Sequence, residues 1–169
     1  RDLNGTERSK LAYTNKEEEV KALFVSAGVT FPPAEMLWRV FKAEDELEVW
    51  ASDKVGGALK PIATYQICAQ SGVPGPKRQE GDLQVPEGFY TIDYFNNTSA
   101  FYLSMRVSYP NESDKVLGRK PLGHSIMVHG DCVSIGCVAI SDERIQELWV
   151  MAKRMDQKKR IVQAHLFPG

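Results

Sequence analysis

Between Met36 and Ala51 the chain alternates with period two. Trp38 and Val40 fall on one side and Leu37, Arg39 and Phe41 on the other. After Ala43, Glu44 and Asp45, the pattern resumes with Leu47, Val49 and Ala51 set against Glu46, Glu48 and Trp50. Successive side chains of a strand point to opposite faces, so this reads as a hairpin with one face in a core. Strand-like runs recur at 62–69, 89–95, 101–108, 125–129 and 161–167. Two helices accompany them. The first is expected to start at Asn15, with Glu18 completing a capping box and a stripe of Val20, Leu23, Phe24 and Ala27, and to stop at Gly28. Residues 1–14 are polar and read as loose. The second follows Ser141 as N-cap, with a stripe of Ile145, Leu148, Trp149, Ala152 and Met155. The expected fold is mainly β: an antiparallel sheet or β-sandwich that packs helices at its margin.

A chain of 169 residues is long enough to bury a core of its own. A formal net charge of −1 supplies no basic face, so no nucleic-acid partner is expected. The late cationic run from Lys153 to Arg160 is broken by Met155, Asp156 and Gln157 and reads as a solvated helix face. No apolar stretch reaches the ~20 residues that span a bilayer. The chain opens on Arg1 rather than methionine, which fits a removed export leader and equally a sequence trimmed at its start. Residues 71–87 form a long connection holding three prolines and three glycines. Loops of that length in a compact domain are usually functional or disordered.

The chemistry concentrates in IMVHGDCVSIGC, residues 126–137, which with His124 holds two of the three histidines and two of the three cysteines. Three readings compete. His124, His129, Cys132 and Cys137 carry zinc-type donors, but their spacing is not that of a common finger, and an offset of five puts the two rings on opposite faces of a strand. Cys132 could bridge to Cys137 if the loop folds back, or to Cys68, which would leave Cys137 free; equally, Cys68 and Cys132 could be small buried residues. The third reading makes Cys137 a nucleophile. His129 ends an apolar run and is fixed by a sheet, and the small residues Gly130, Ser134 and Gly136 let the loop bring the sulfur back to the ring. The backbone carbonyl near Gly130 could orient the imidazole, and amides around Ser134 to Cys137 could face a developing oxyanion. His124 reads as a loop histidine.

IMVHGDCVSIGC resembles the HG…S-x-G-C signature of the L,D-transpeptidase (YkuD) catalytic domain. It is nearest the YafK-like branch, with its short spacer and extra cysteine. GPKRQEGDLQVPEGFYTI (75–92), YPNESDK (109–115) and SDERIQELW are similar to segments of that branch, in the same order. The resemblance implies an N-terminal extension and helix over 1–30 and a catalytic β-sandwich domain over 31–169, with a helix after the active-site loop. It implies action on peptidoglycan stem peptides through a cysteine thioester, with no cofactor and no metal, in the periplasm or cell envelope. By motif match Cys137 would be nucleophile and His129 base. Gly130 would supply the orienting carbonyl, Gly136 and Cys137 the oxyanion amides, and Ser134 would shape the loop and touch substrate. Many members carry an arginine two residues past the cysteine, where this chain has Ala139. Lys77, Arg78 and Arg119 are then the local candidates for a substrate carboxylate, and 71–87 a wall or lid of the cleft.

Overall fold

The computed structural model describes residues 3–134 and 136–169. Eight strands and three helices follow in the order α1 (Gly5–Ser26), β1 (Glu35–Phe41), β2 (Glu46–Ser52), β3 (Lys60–Gln66), β4 (Gly88–Ser99), β5 (Tyr102–Val107), α2 (Glu112–Leu117), β6 (Met127–His129), β7 (Val138–Ala139), α3 (Asp142–Gln157) and β8 (Val162–Phe167). The strands form one mixed sheet in the order β3-β2-β1-β8-β4-β5-β6-β7. The expected hairpin is β1–β2, antiparallel, with Trp38 opposite Val49. Met36, Trp38 and Val40 are buried on its inner face. Most neighbours are antiparallel; β1–β8 and β6–β7 are parallel. The 12-residue β4 pairs β8 over its first part and β5 over its second, with register shifts between Ile92 and Tyr94 and between Asn96 and Ser99. Such bulges bend a strand and sharpen its twist, which lets β4 serve both halves of the sheet.

The N-terminal segment corrects the sequence expectation. Helix α1 starts at Gly5, capped by Asn4. The Asn4 side chain accepts from the Glu7 amide at 3.0 Å, and Glu7 answers by accepting from the Asn4 amide at 3.0 Å. Residues 5–14, read as loose, are helical. The buried positions Ala12, Lys16, Val20 and Phe24 are spaced by four. That stripe is masked in the sequence because one member is a lysine. Its ammonium reaches Glu143 at 3.1 Å and Glu19 at 3.3 Å, so the buried stem ends in paired charge. Arg154 to Glu17 at 2.7 Å adds a second link between α1 and α3. Both predicted α3 features hold. Ser141 caps it by accepting from the Arg144 amide, and its five-residue stripe is buried. Gln146, Glu147, Val150 and Met151 are buried as well; Gln146 accepts from Asn15 of α1 at 3.1 Å, and Glu147 lies between Lys16 of α1 and the Tyr65 hydroxyl of β3. Trp149 meets Phe95 of β4 edge-on, ring centroids 5.5 Å apart.

Helix α2 escapes the period-based reading because it is short. It forms on a capping box in which Asn111 accepts from the Asp114 amide while the Asp114 carboxylate accepts from the Asn111 amide. Asp114 is buried and also accepts from the Tyr90 hydroxyl at 2.7 Å, which pins α2 to β4.

Candidate active site

The site is built where β6 and β7 run parallel side by side. Parallel neighbours are usually joined by a dozen or more residues. Here residues 130–137 must leave the sheet, turn and re-enter in eight. The backbone meets that demand with left-handed conformations at Asp131 (φ 57°) and Gly136 (φ 84°). Glycine adopts the second without steric cost. Val128 pairs Val138 and His129 pairs Ala139, so one step back along the register sets Cys137 beside Met127. The Met127 amide accordingly donates to the Cys137 sulfur at 3.4 Å, and the thiol donates to the Ser125 carbonyl at 3.5 Å. Residues 127 and 129 share a face of β6, so thiol and imidazole lie on the same side of adjacent strands. Among the described residues the thiol's hydrogen bonds go to backbone, not to the imidazole. Catalytic contacts in ligand-free sites are often longer than in the working complex.

His129 is only 1% exposed. Its Nδ1 sits 2.5 Å from the Gly130 carbonyl oxygen. A carbonyl only accepts, so the ring proton belongs on Nδ1, and Nε2 keeps a free lone pair. Burial pushes the imidazole below its ordinary range, opposed by the Gly130 carbonyl and the Asp131 carboxylate. Burial also pushes the Cys137 thiol up, opposed by the Met127 amide and the Lys77 ammonium. Both shifts favour neutral partners, thiol and imidazole, over a pre-formed ion pair.

The loop is fastened at several points. The Asp131 amide donates to Asp142 Oδ1 of α3 at 2.7 Å. A Cβ added to Gly130 would lie 2.6 Å from that same oxygen and 3.0 Å from the Phe101 carbonyl oxygen, so the position has no room for a side chain. The Cys137 amide donates to Ser134 Oγ at 2.9 Å, and the Ser134 hydroxyl donates to the Cys137 carbonyl. The Gly136 amide donates to Ser71 Oγ at 2.6 Å, and the Ser71 hydroxyl donates to the Leu83 carbonyl at 2.8 Å. The two amides expected at an oxyanion site are therefore held by hydroxyl oxygens at rest. Ile135, which precedes Gly136, lies outside the described residues.

Cys68 and Cys132 form a disulfide, with Cα atoms 5.4 Å apart. Of the readings left open, the buried-thiol one fails: both residues are exposed. Two β-type contacts bring the cysteines together, the Cys68 amide donating to the Ala139 carbonyl at 2.9 Å and the Ala139 amide to Ala69 at 3.0 Å. The bridge removes Cys132 from the candidate metal donors and leaves Cys137 as the free thiol. It closes a loop with a sequence separation of 64. Removing such a link typically costs ~2–4 kcal/mol. The double variant Cys68→Ser/Cys132→Ser is expected to lose about that much stability in urea unfolding. Dithiothreitol should bring the wild type to the same midpoint, since the bridge is exposed. Equal midpoints for oxidised and reduced protein would contradict this.

The three basic candidates separate. Lys77 is 5% exposed and its ammonium is already committed, to Asp82 Oδ1 at 2.8 Å and the Gln79 carbonyl at 2.9 Å, above the Tyr109 ring. This corrects the expectation of a carboxylate anchor: a buried ammonium with partners fixes the 77–84 turn and acts on Cys137 only through space. Arg78 lies 3.8 Å from Asp114, a loose pair on a partly exposed side chain. Arg119 is exposed, and its amide donates to the Arg78 carbonyl at 2.6 Å, so the two guanidinium stems leave adjacent backbone. His124 is exposed and bonded to Ser125, as expected. Sequence reading missed Ser71, Asp142 in its loop-holding role, and Phe101, whose ring covers His129. Ser71 and Phe101 lie outside the motif segments, and Asp142, inside SDERIQELW, reads there only as a first-turn helix acid. A cavity of 660 Å³ between β3 and the start of α3, lined by Tyr65, Cys68, Arg144 and Glu147 among others, includes neither His129 nor Cys137.

The family model of the YkuD L,D-transpeptidase catalytic domain matches residues 6–162. YafK of Escherichia coli (strain K12) is 36% identical over 113 residues, covering 66% of this chain and 44% of YafK. The chain thus spans less than half the length of that relative. Among solved structures, the helical cell shape determining protein Pgp2 from Campylobacter jejuni superimposes with a TM-score of 0.63 at 22% identity, over 80% of this chain and 48% of Pgp2. Bdellovibrio bacteriovorus Bd1075 gives 0.53 at 19%, over 82% of this chain and 49% of Bd1075. At these identities the likeness speaks to the fold, and the family model, matching nearly the whole chain, decides the rest: the chain belongs to the L,D-transpeptidase (YkuD) catalytic domain family.

Proposed function

We propose that this chain is a cysteine acyl-transfer enzyme of peptidoglycan stem peptides that works through a thioester at Cys137 and passes the acyl group to water. One observation carries the reading. The free thiol stands on a tightly fastened turn, on the same side of a parallel strand pair as a buried imidazole whose Nδ1 proton is fixed by Gly130. The sulfur attacks the carbonyl at the L-centre of diaminopimelate while Nε2 of His129 takes the thiol proton. The C–S bond forms, the amide C–N bond breaks, and the leaving amine takes the proton from imidazolium. Water, deprotonated by the same ring, then releases a carboxylate and restores the thiol. The Gly136 and Cys137 amides serve the oxyanion once the carbonyl oxygen takes the places that Ser71 and Ser134 hydroxyls fill at rest. Exposed Arg119, with Arg78 beside it, is the candidate for a stem-peptide carboxylate, for which a guanidinium offers bidentate contacts. Such a substrate places the enzyme in the cell envelope.

Purified muropeptides incubated with the protein and followed by mass spectrometry test the reading, with Cys137→Ala as the blank. Loss of a terminal D-residue or cleavage at the same centre is expected. A new crosslink or an exchanged D-amino acid would replace water by an amine as acceptor. Identical spectra for protein and blank would leave a wall-binding module instead.

A further inference from the structure

We propose that Phe101 is a positioning residue for His129, its phenyl ring lying across the imidazole as a cover that fixes the ring plane. The inference rests on the reading of His129 as the base. The two rings stack with centroids 4.6 Å apart and planes 27° from parallel. Phe101 is 39% exposed while His129 beneath it is 1% exposed, so the phenyl forms the layer between imidazole and solvent. A large apolar side chain at a turn is otherwise better left in the core. Here its inner face is occupied by the imidazole, in the near-parallel geometry that aromatic stacking allows, which leaves the in-plane nitrogens to their own partners such as the Gly130 carbonyl.

The turn that presents Phe101 is built to hold still. The Phe101 amide donates to Ser99 Oγ at 3.0 Å, and the Ser104 hydroxyl donates to the same oxygen. Tyr102 takes a left-handed conformation, φ 74°. From outside the sheet, Arg8 of α1 donates to the carbonyls of Ser99 and Tyr102, each at 2.8 Å. The same turn grips the residue after the histidine. The Gly130 amide donates to the Leu103 carbonyl at 3.1 Å, and the Phe101 carbonyl sits where a side chain at 130 would have to go. One turn thus fixes both the imidazole face and the carbonyl that orients its Nδ1. It also ties the expected N-terminal extension to the site: α1 bolts the turn, and the turn seats the base.

The charged and titratable groups around the imidazole come from several elements: Asp131 in the same loop, Asp142 at the start of α3, Cys137 before β7, and Arg8 of α1 behind the turn. Replacing Phe101 changes none of them, so its effect is one of solvent access and ring orientation. Exposing a buried imidazole removes the main cause that holds its titration low.

The test compares wild type, Phe101→Ala and Phe101→Tyr. The His129 ring is titrated by NMR, and the pH dependence of kcat/KM for a muropeptide is measured beside it. In Phe101→Ala the ring should titrate at higher pH, the acid limb of kcat/KM should move with it, and the rate at pH 6 should fall by up to about 4-fold as the ring returns towards the ordinary ~6.5. Phe101→Tyr, which keeps the ring, should restore both. The thermal midpoint separates these effects from unfolding, and the ring titration is read in folded protein whether or not it turns over. An unmoved His129 titration in folded Phe101→Ala overturns the cover. A moved titration that the acid limb ignores overturns the role of His129 as base, and with it the catalytic meaning of the stack.

Discussion

Cys137→Ala is expected to fold normally and to turn over no stem peptide, a loss on the order of 10⁴–10⁶ in kcat, as when the nucleophile of an acyl-transfer enzyme is removed. The fold should tolerate the change. Cys137 is partly exposed, and its sulfur makes only the two backbone contacts with Met127 and Ser125, both longer than 3.3 Å. Cys137→Ser is the sharper variant. A hydroxyl keeps those contacts but ionises far less readily than a thiol, so a neutral imidazole cannot make it an equal nucleophile. Rates for the serine variant close to wild type would remove the thioester. The thiol's environment adds a second expectation. Because burial holds the thiol above its ordinary range, alkylation by iodoacetamide should be slow at neutral pH and accelerate well into alkaline solution. A fast, pH-independent reaction in mildly acidic solution would mean a pre-formed thiolate–imidazolium pair, which the two burial shifts argue against.

What could be read in the chain beforehand follows the kind of signal each part sends. The hairpin was legible because alternation within Met36–Ala51 is a local consequence of strand geometry. So was α3, whose cap and stripe obey the same local logic. The start of α1 was not, since its inward stripe includes Lys16, whose partners Glu143 and Glu147 lie on an element more than a hundred residues away. The parallel pairings β1–β8 and β6–β7 depend on which strands meet, and no single segment states that. Cys137, His129 and Gly130 stood out because a sequence motif packs them into nine residues. Phe101 and Ser71 reach the same place from elsewhere through tertiary contact alone. Lys77 shows the converse. In a sequence it is a cation free to bind a carboxylate, and in the fold it is a buried ammonium that already has one in Asp82.

His129→Ala is expected to lower kcat by about 10²–10⁴, the range over which a positioned general base contributes. The shape of its pH profile is the stronger test. On the proposed mechanism, wild-type activity needs neutral imidazole. Burial holds that ring's titration below the usual ~6.5, so activity should rise through a correspondingly low pH and stay level above it. Without the ring, nothing takes the thiol proton in the attacking step, and the rate should follow the fraction of thiol that ionises unaided. That fraction grows about tenfold per pH unit until the raised thiol titration is reached, so the variant's deficit should shrink steadily as the solution becomes alkaline. The two curves therefore diverge most near neutrality and approach each other at high pH. Parallel curves would mean that His129 supports the fold around Cys137 without handling its proton, and Gly130 would then orient a ring with no part in the reaction. The same comparison made in Gly130's surroundings is uninformative, because no side chain fits there. The proton count must be read at the imidazole itself, where the Nδ1 contact to Gly130 leaves only Nε2 to carry it.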